Sequence, residues 1–311
     1  MAPQLAWLGL GNMGRGMCKN LVEKGNLDKP LILYNRTKAR SDELAAKISS
    51  DVGSGKTKVV ETINQAAKEA DIILMCLGDD AAVNSAVDKI LEEDVKGKLI
   101  VDCSTVHPDT TNALEKRITS KGADFVGMPV FGAPAMADNG QLVCVIAGKA
   151  SAVEKVKPYA KGVMGRANIE YPDQPAGNAT LLKVIGNTFI LNMISQLSEG
   201  HVLAEKSGLG VENLHSFITT MFPGPYSMYS QRFLAGDYYQ REEPLFHVDL
   251  AKKDARHARS LADSSGASVK MLALAQERLD VVKEELGDKG DIPSIYGVVR
   301  KESGLPFKNK G

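Results

Sequence analysis

An α/β fold with a doubly wound parallel sheet, followed by an all-helical second part, is what this sequence predicts, and three observations predict it. Short apolar runs alternate with amphipathic helical stretches as far as about residue 170, the pattern of successive βαβ units. The first run, Gln4 to Leu8, passes directly into Gly9-Leu10-Gly11-Asn12-Met13-Gly14, a GxGxxG placed between a strand and a helix. Beyond Pro175 the strand pattern stops, and Ala179 to Ser207 reads as one long helix, apolar nearly all round, which predicts burial between domains or between subunits. The result is a Rossmann-type domain over 1–172 and an all-helical domain over 173–311, with a long interdomain helix.

The individual elements follow from local pattern. After the first strand, further strands are expected at Leu31 to Tyr34, Lys58 to Val60, Asp71 to Leu77, Lys98 to Asp102, Asp124 to Val126, Leu142 to Ala147 and Asn168 to Tyr171. Each is short, apolar and bounded by turn formers. In the second half, Val269 to Leu286 is amphipathic, and Pro223-Gly224-Pro225 and Gly236-Asp237 mark loops. The aromatic stretch Pro223-Gly224-Pro225-Tyr226-Ser227-Met228-Tyr229 and the pair Tyr238-Tyr239 admit two readings, a substrate-cleft lining or the seal of a core or subunit contact.

The GxGxxG divides its work among three glycines. Gly9 permits the tight strand-to-helix turn, Gly11 lets a pyrophosphate approach the backbone, and Gly14 lets the helix pack on the strand. The phosphates of a dinucleotide would rest on the helix N-terminus at Asn12 and Met13, where backbone N–H groups and the dipole favour an anion. Twenty-one residues after Gly14 the second strand ends in Asn35-Arg36-Thr37-Lys38, where an NAD site usually carries an acid for the ribose hydroxyls. A guanidinium here binds a 2′-phosphate bidentately, so Asn35, Arg36 and Thr37 predict NADP. The alternative is a solvated basic turn. Leu77, closing its strand, is placed on the cofactor side as well.

Composition narrows the function. The 311 residues are 43% hydrophobic, enough for two cores. Lys plus Arg and Asp plus Glu both number 38, so no net field draws the chain to nucleic acid or an anionic membrane. Cys18, Cys76, Cys103 and Cys144 stand singly without CxxC spacing, as reduced core thiols do, and neither they nor the five histidines predict a metal site. Leu181 to Leu197 contains Lys183, Asn187, Asn192 and Gln196, so a buried helix is expected rather than a membrane span. With a strand beginning at Gln4 and no leader ahead of it, the expected location is cytoplasmic.

Lys183 and Asn187 stand four apart on the long helix and share a face, able to meet one bound substrate. A lysine in an apolar stretch finds a partner or loses its charge, and either state suits proton transfer to or from a substrate oxygen. Read from the residues alone, a snorkelling lysine beside a helix asparagine stands equally.

On these motifs the chain resembles the β-hydroxyacid dehydrogenase family, the 3-hydroxyisobutyrate dehydrogenase and semialdehyde reductase group distantly related to 6-phosphogluconate dehydrogenase. The resemblance runs nearly end to end. Gly9 to Asn20 is similar to the family's nucleotide motif, Asp102-Cys103-Ser104-Thr105-Val106 to its nicotinamide-side loop, Gly177 to Asn187 to its catalytic motif, and Lys253-Asp254 to its late cofactor-side motif. It implies hydride transfer with NADP, Lys183 as general acid and base, Asn187 holding substrate or lysine in register, Thr105 near the nicotinamide, and Lys253 as a second cation that would depress the Lys183 pKa by like-charge repulsion. Two other readings stay open: Thr105 as the cap of the helix after Pro108, and Lys253 as part of a solvated helix face.

The family's Asp-Ala-Pro-Val-Ser-Gly-Gly segment reads here Gly127-Met128-Pro129-Val130-Phe131-Gly132-Ala133. Phe131 replaces a serine whose hydroxyl holds substrate carboxylate in relatives, while the backbone of Gly132 and Ala133 can still meet an anion. Phe131 either flanks a bulkier, less acidic substrate or faces the core. The expected activity is NADP-dependent interconversion of a β-hydroxyacid with its semialdehyde or ketoacid. The alternatives are reduction of a bulkier carbonyl or imine, and a non-catalytic NADPH-binding scaffold. The retained Lys183 speaks against the imine form and against the scaffold. The active site is expected between the domains, and the apolar long helix predicts a homodimer or higher homo-oligomer.

Overall fold

The computed structural model describes residues 2–310. Packing divides the chain into two compact units, one ending at Lys183 and one beginning at Val184. The first unit alternates strands and helices in chain order: β1 (Leu5–Leu8), α1 (Asn12–Lys24), β2 (Leu31–Tyr34), α2 (Lys38–Val52), β3 (Thr57–Val59), α3 (Ile63–Glu69), β4 (Ile72–Met75), α4 (Asp80–Ile90), β5 (Leu99–Asp102) and α5 (Pro108–Thr119). There follow β6 (Asp124–Gly127), β7 (Val130–Phe131), α6 (Pro134–Asp138), β8 (Leu142–Gly148), α7 (Ala150–Ala160) and β9 (Gly165–Pro172).

The sheet order is β3-β2-β1-β4-β5-β6-β8-β7, with β9 on β8. From β3 to β6 all pairs are parallel, and the order reverses direction between β1 and β4, so a crevice opens at their C-terminal ends. The β1 residues alternate between two cores: Leu5 and Trp7 pack with α1, α2 and α7, and Ala6 and Leu8 pack with α3, α4 and α5. Burial of both faces explains why these strands read as unbroken apolar runs. At the far side β8 runs antiparallel to β6 and to β7. The pattern had not announced β7, a two-residue strand behind Pro129, too short to show alternation.

The second unit is helical: the remainder of α8 (Gly177–Lys206), then α9 (Val211–Met221), α10 (Pro225–Ala235), α11 (Asp237–Gln240), α12 (Val248–Ser265), α13 (Lys270–Leu286) and α14 (Ile295–Glu302). Its core joins Leu191, Ile194 and Leu197 of α8 to Ala251 and Ala255 of α12, Leu279 and Val282 of α13, and Tyr296 of α14. β9 ends at Pro172, and packing assigns the first two turns of α8 to the first unit, because Ala179 and Leu182 rest against Val145 and Ala147.

In the single chain α8 has two unlike faces. Ile185, Phe189 and Leu203 of α8 are exposed, while the polar Asn187, Ser195, Ser198 and His201 are buried. Composition reports how apolar a helix is, and packing decides which face turns inward. Tyr238 belongs to the core, edge-on to Tyr296 and hydrogen-bonded from its hydroxyl to the Phe307 carbonyl at 2.6 Å. Among the described residues no helix is long and apolar enough to cross a membrane.

Candidate active site

The three glycines meet three separate demands. Gly9 has φ +98°, and a Cβ there would stand 2.4 Å from the Cys76 carbonyl oxygen and 2.7 Å from Leu77 Cδ2. A Cβ on Gly14 would stand 2.2 Å from the Gly9 oxygen, so only glycine lets α1 approach β1. Gly11 has nothing within 4 Å of such an atom and caps α1 without a side-chain hydrogen bond. An open backbone at an uncapped helix start fits a pyrophosphate, so Gly11, Asn12 and Met13 would hold that part of a dinucleotide.

Asn35 braces this loop from the side. Its Oδ1 accepts from Leu10 N at 3.0 Å and its Nδ2 donates to the Thr37 oxygen at 3.0 Å. Both ends of the amide are thus engaged by backbone, while the next side chain, Arg36, stands exposed at the end of β2. Across the crevice, Leu77 N donates to Ser104 Oγ at 2.8 Å, and Ser104 N donates to the buried Asp102 Oδ1 at 2.9 Å. These bonds set the course of the loop that carries Thr105. The cap of α5 is His107, whose Nδ1 accepts from Asp109 N at 3.2 Å, so the capping role weighed for Thr105 is overturned. An imidazole acceptor lies outside the usual capping residues, which is why pattern reading passed over it. Thr105 stays half-buried in the loop.

The segment expected to meet substrate is held from the cofactor side. Asn20, fully buried in α1, donates to the Gly16 oxygen at 2.8 Å and the Ala137 oxygen at 2.7 Å, tying α1 to α6. Gly132, at φ +142°, and Ala133, the cap of α6, connect that anchor to Phe131. The half-buried Phe131 packs against the cluster of Val145, Ala147 and Ala179, and its ring face lies under Lys183, with Nζ 4.4 Å from the ring centroid. Lys183 is buried. The start of its helix is pinned to α5, because Gly177 N donates to Asn112 Oδ1 at 2.9 Å and the Thr111 and Thr180 hydroxyls meet at 2.9 Å.

In the second unit, Asn187 sits one turn along α8 from Lys183. Its Nδ2 donates to Asp254 Oδ2 at 2.7 Å, and Lys253 Nζ lies 2.9 Å from Asp254 Oδ1. All three side chains are buried. A carboxylate only accepts, so it fixes which end of the Asn187 amide faces it. The sequence offered Lys253-Asp254 as one motif but pointed to a role for Lys253 alone. The signal was the Lys-Asp dipeptide itself.

Burial pushes the Cys144 thiol up to about 12 and those of Cys18 and Cys103 well above their ordinary value, and the cysteines form no disulfide. Among the described residues one group, His247, Asp249 and Asp288, has metal-ligand spacing. Lys283 already bridges its two carboxylates at 2.7 and 2.8 Å.

Residues 4–169 match the family described as the NAD binding domain of 6-phosphogluconate dehydrogenase, and residues 177–299 match the NAD-binding domain of NADP-dependent 3-hydroxyisobutyrate dehydrogenase. The chain belongs to the β-hydroxyacid dehydrogenase family. The NADH-dependent oxidoreductase ucdB of Aspergillus ustus is 35% identical over 95% of this chain and 98% of its own. Glyoxylate/succinic semialdehyde reductase 1 of Arabidopsis thaliana is 32% identical over 88% of this chain and 90% of its own. The structure of Psf3 in complex with NADP+ and 2-OPP shares the fold, with TM-score 0.79, 21% identity and coverage of 95% and 99% of the two chains. As a member of this family the protein is an NAD(P)-dependent dehydrogenase or reductase.

Proposed function

We propose that the protein is an NADP(H)-dependent oxidoreductase that interconverts a β-hydroxyacid with its semialdehyde or ketoacid, with Lys183 as general acid and base. The observation that carries this reading is the setting of Lys183: buried, on a helix pinned at its start, its Nζ over the face of Phe131. The nicotinamide, when bound, supplies or accepts the hydride. In reduction Lys183 polarises the carbonyl and delivers a proton to the forming alkoxide oxygen; in oxidation it takes the alcohol proton. Asn187, oriented by Asp254, holds the substrate oxygen in register with that amine. Gly9, Gly11, Asn12, Met13, Gly14, Leu77, Thr105 and Lys253 serve the cofactor, Asn35 and Thr37 shape the turn that presents Arg36 to a 2′-phosphate, and Gly132 and Ala133 offer backbone to a substrate anion.

A second reading, reduction of a bulkier carbonyl without the usual carboxylate, is favoured by Phe131 itself. Its ring sits beside the lysine and carries no hydrogen-bond donor.

The test follows NADPH absorbance with glyoxylate, succinic semialdehyde, bulkier aldehydes and aromatic ketones, for wild type and Lys183→Ala, with NADH in parallel. The variant is expected to lose about 10²–10⁴-fold in turnover while keeping cofactor affinity. Turnover equal to wild type would move proton transfer to another group. Preference for aromatic ketones over the acids would favour the second reading.

A further inference from the structure

We propose that Phe131 is a positioning residue for Lys183, holding the ammonium on the face of its ring at the place from which the proton is transferred. The inference rests on the reading of Lys183 as the proton-transfer group and adds to it a residue that acts on the lysine rather than on the substrate.

The geometry is that of a cation–π contact, with Nζ 4.4 Å from the ring centroid, inside the roughly 6 Å over which the ring quadrupole attracts a cation. Burial strengthens it, since Lys183 has little water to compete for its charge. The ring is itself fixed: β7 pairs with β8 through Val130 with Cys144 and Phe131 with Val143, and the phenyl packs on the cluster of Val145, Ala147 and Ala179. A lysine carries its charge on a flexible four-carbon stem, and misplacing a reacting group by about 1 Å costs roughly 10²-fold in rate. A rigid aromatic floor meets that requirement. A phenyl has no donor with which to anchor a substrate carboxylate, so an anchoring role does not account for it.

Replacement of Phe131 by mono-, di- and trifluorophenylalanine withdraws electron density from the ring face with little change of size. Turnover is expected to fall stepwise, by roughly tenfold across the series, with KM and thermal stability nearly constant. Phe131→Tyr and Phe131→Trp, which keep the π face, are expected to retain most activity, and Phe131→Leu to lose it through kcat. A flat fluorination series, or losses that track thermal stability, would overturn the proposal.

Competitive acetylation of Lys183 against the exposed Lys38 supplies a readout that needs no substrate. Weakening the ring face makes the neutral amine more available, so Lys183 should label faster along the series; equal labelling counts against the contact. Lys183→Ala, assayed beside them, separates the two failures. Wild-type turnover in that variant refutes the proton-transfer reading, whereas an inactive Lys183→Ala with a flat series refutes only the role of Phe131.

Discussion

Arg36 stands exposed at the end of β2, and a 2′-phosphate is a group whose geometry its guanidinium matches. A charge-assisted hydrogen bond contributes about 1.5–3 kcal/mol, so Arg36→Ala is expected to weaken NADPH binding about tenfold or more and leave NADH nearly unchanged in calorimetric titration. Equal losses would remove the NADP assignment, a live contrast given the NADH-dependent relative. Asp254 works in the opposite environment, buried between Asn187 and Lys253. Breaking a buried ion pair by removing one member costs about 3–5 kcal/mol. Asp254→Ala should therefore lower the unfolding free energy by that order in urea titration; an unchanged midpoint would mean the carboxylate contributes nothing net.

Three helices of the second unit meet at one hydroxyl. Ser230 Oγ of α10 lies 2.8 Å from His201 Nε2 of α8 and 2.8 Å from His215 Nδ1 of α9. A hydroxyl has one proton, so one ring accepts it and the other donates. Burial, with the His215 charge second, pushes the His201 pKa down from 6.5 to about 4. Between those values the unfolded chain binds a proton that the folded chain does not. Stability from this group is therefore complete above pH 6.5 and falls by about 1.4 kcal/mol per pH unit until about pH 4, roughly 3 kcal/mol in all. Urea unfolding between pH 7 and pH 4 should show that slope in wild type and a shallower one in His201→Gln. Identical slopes would assign acid sensitivity to other groups.

At the scale of the whole molecule, one exposed apolar stripe runs along α8, where Ile185, Phe189 and Leu203 are 46%, 72% and 69% exposed. Large apolar side chains left in water on one helix mark an association face, and a second copy of the chain offers the same stripe in return. Sedimentation is expected to give about twice the 33.4 kDa chain mass, and Phe189→Glu to shift it toward one chain. Wild type sedimenting as single chains at micromolar concentration would refute the homodimer.

How far the sequence went depends on the range of the physics at each residue. Gly9 and Gly14 were legible because turn conformation and room for a Cβ are local demands, and the strand runs because burial on both faces leaves unbroken apolar segments. Lys183 and Asn187 were legible as a pair because helical spacing alone sets them on one face. Contacts between residues distant in the chain were not. Phe131 beneath Lys183, Asp254 between Asn187 and Lys253, Asn20 tying α1 to α6 and Asn112 holding the start of α8 all depend on which elements pack together. The same reason governs α8: its sequence determined that it is long, helical and apolar, and only packing decided that Ser198 and His201 turn inward while Phe189 and Leu203 face out.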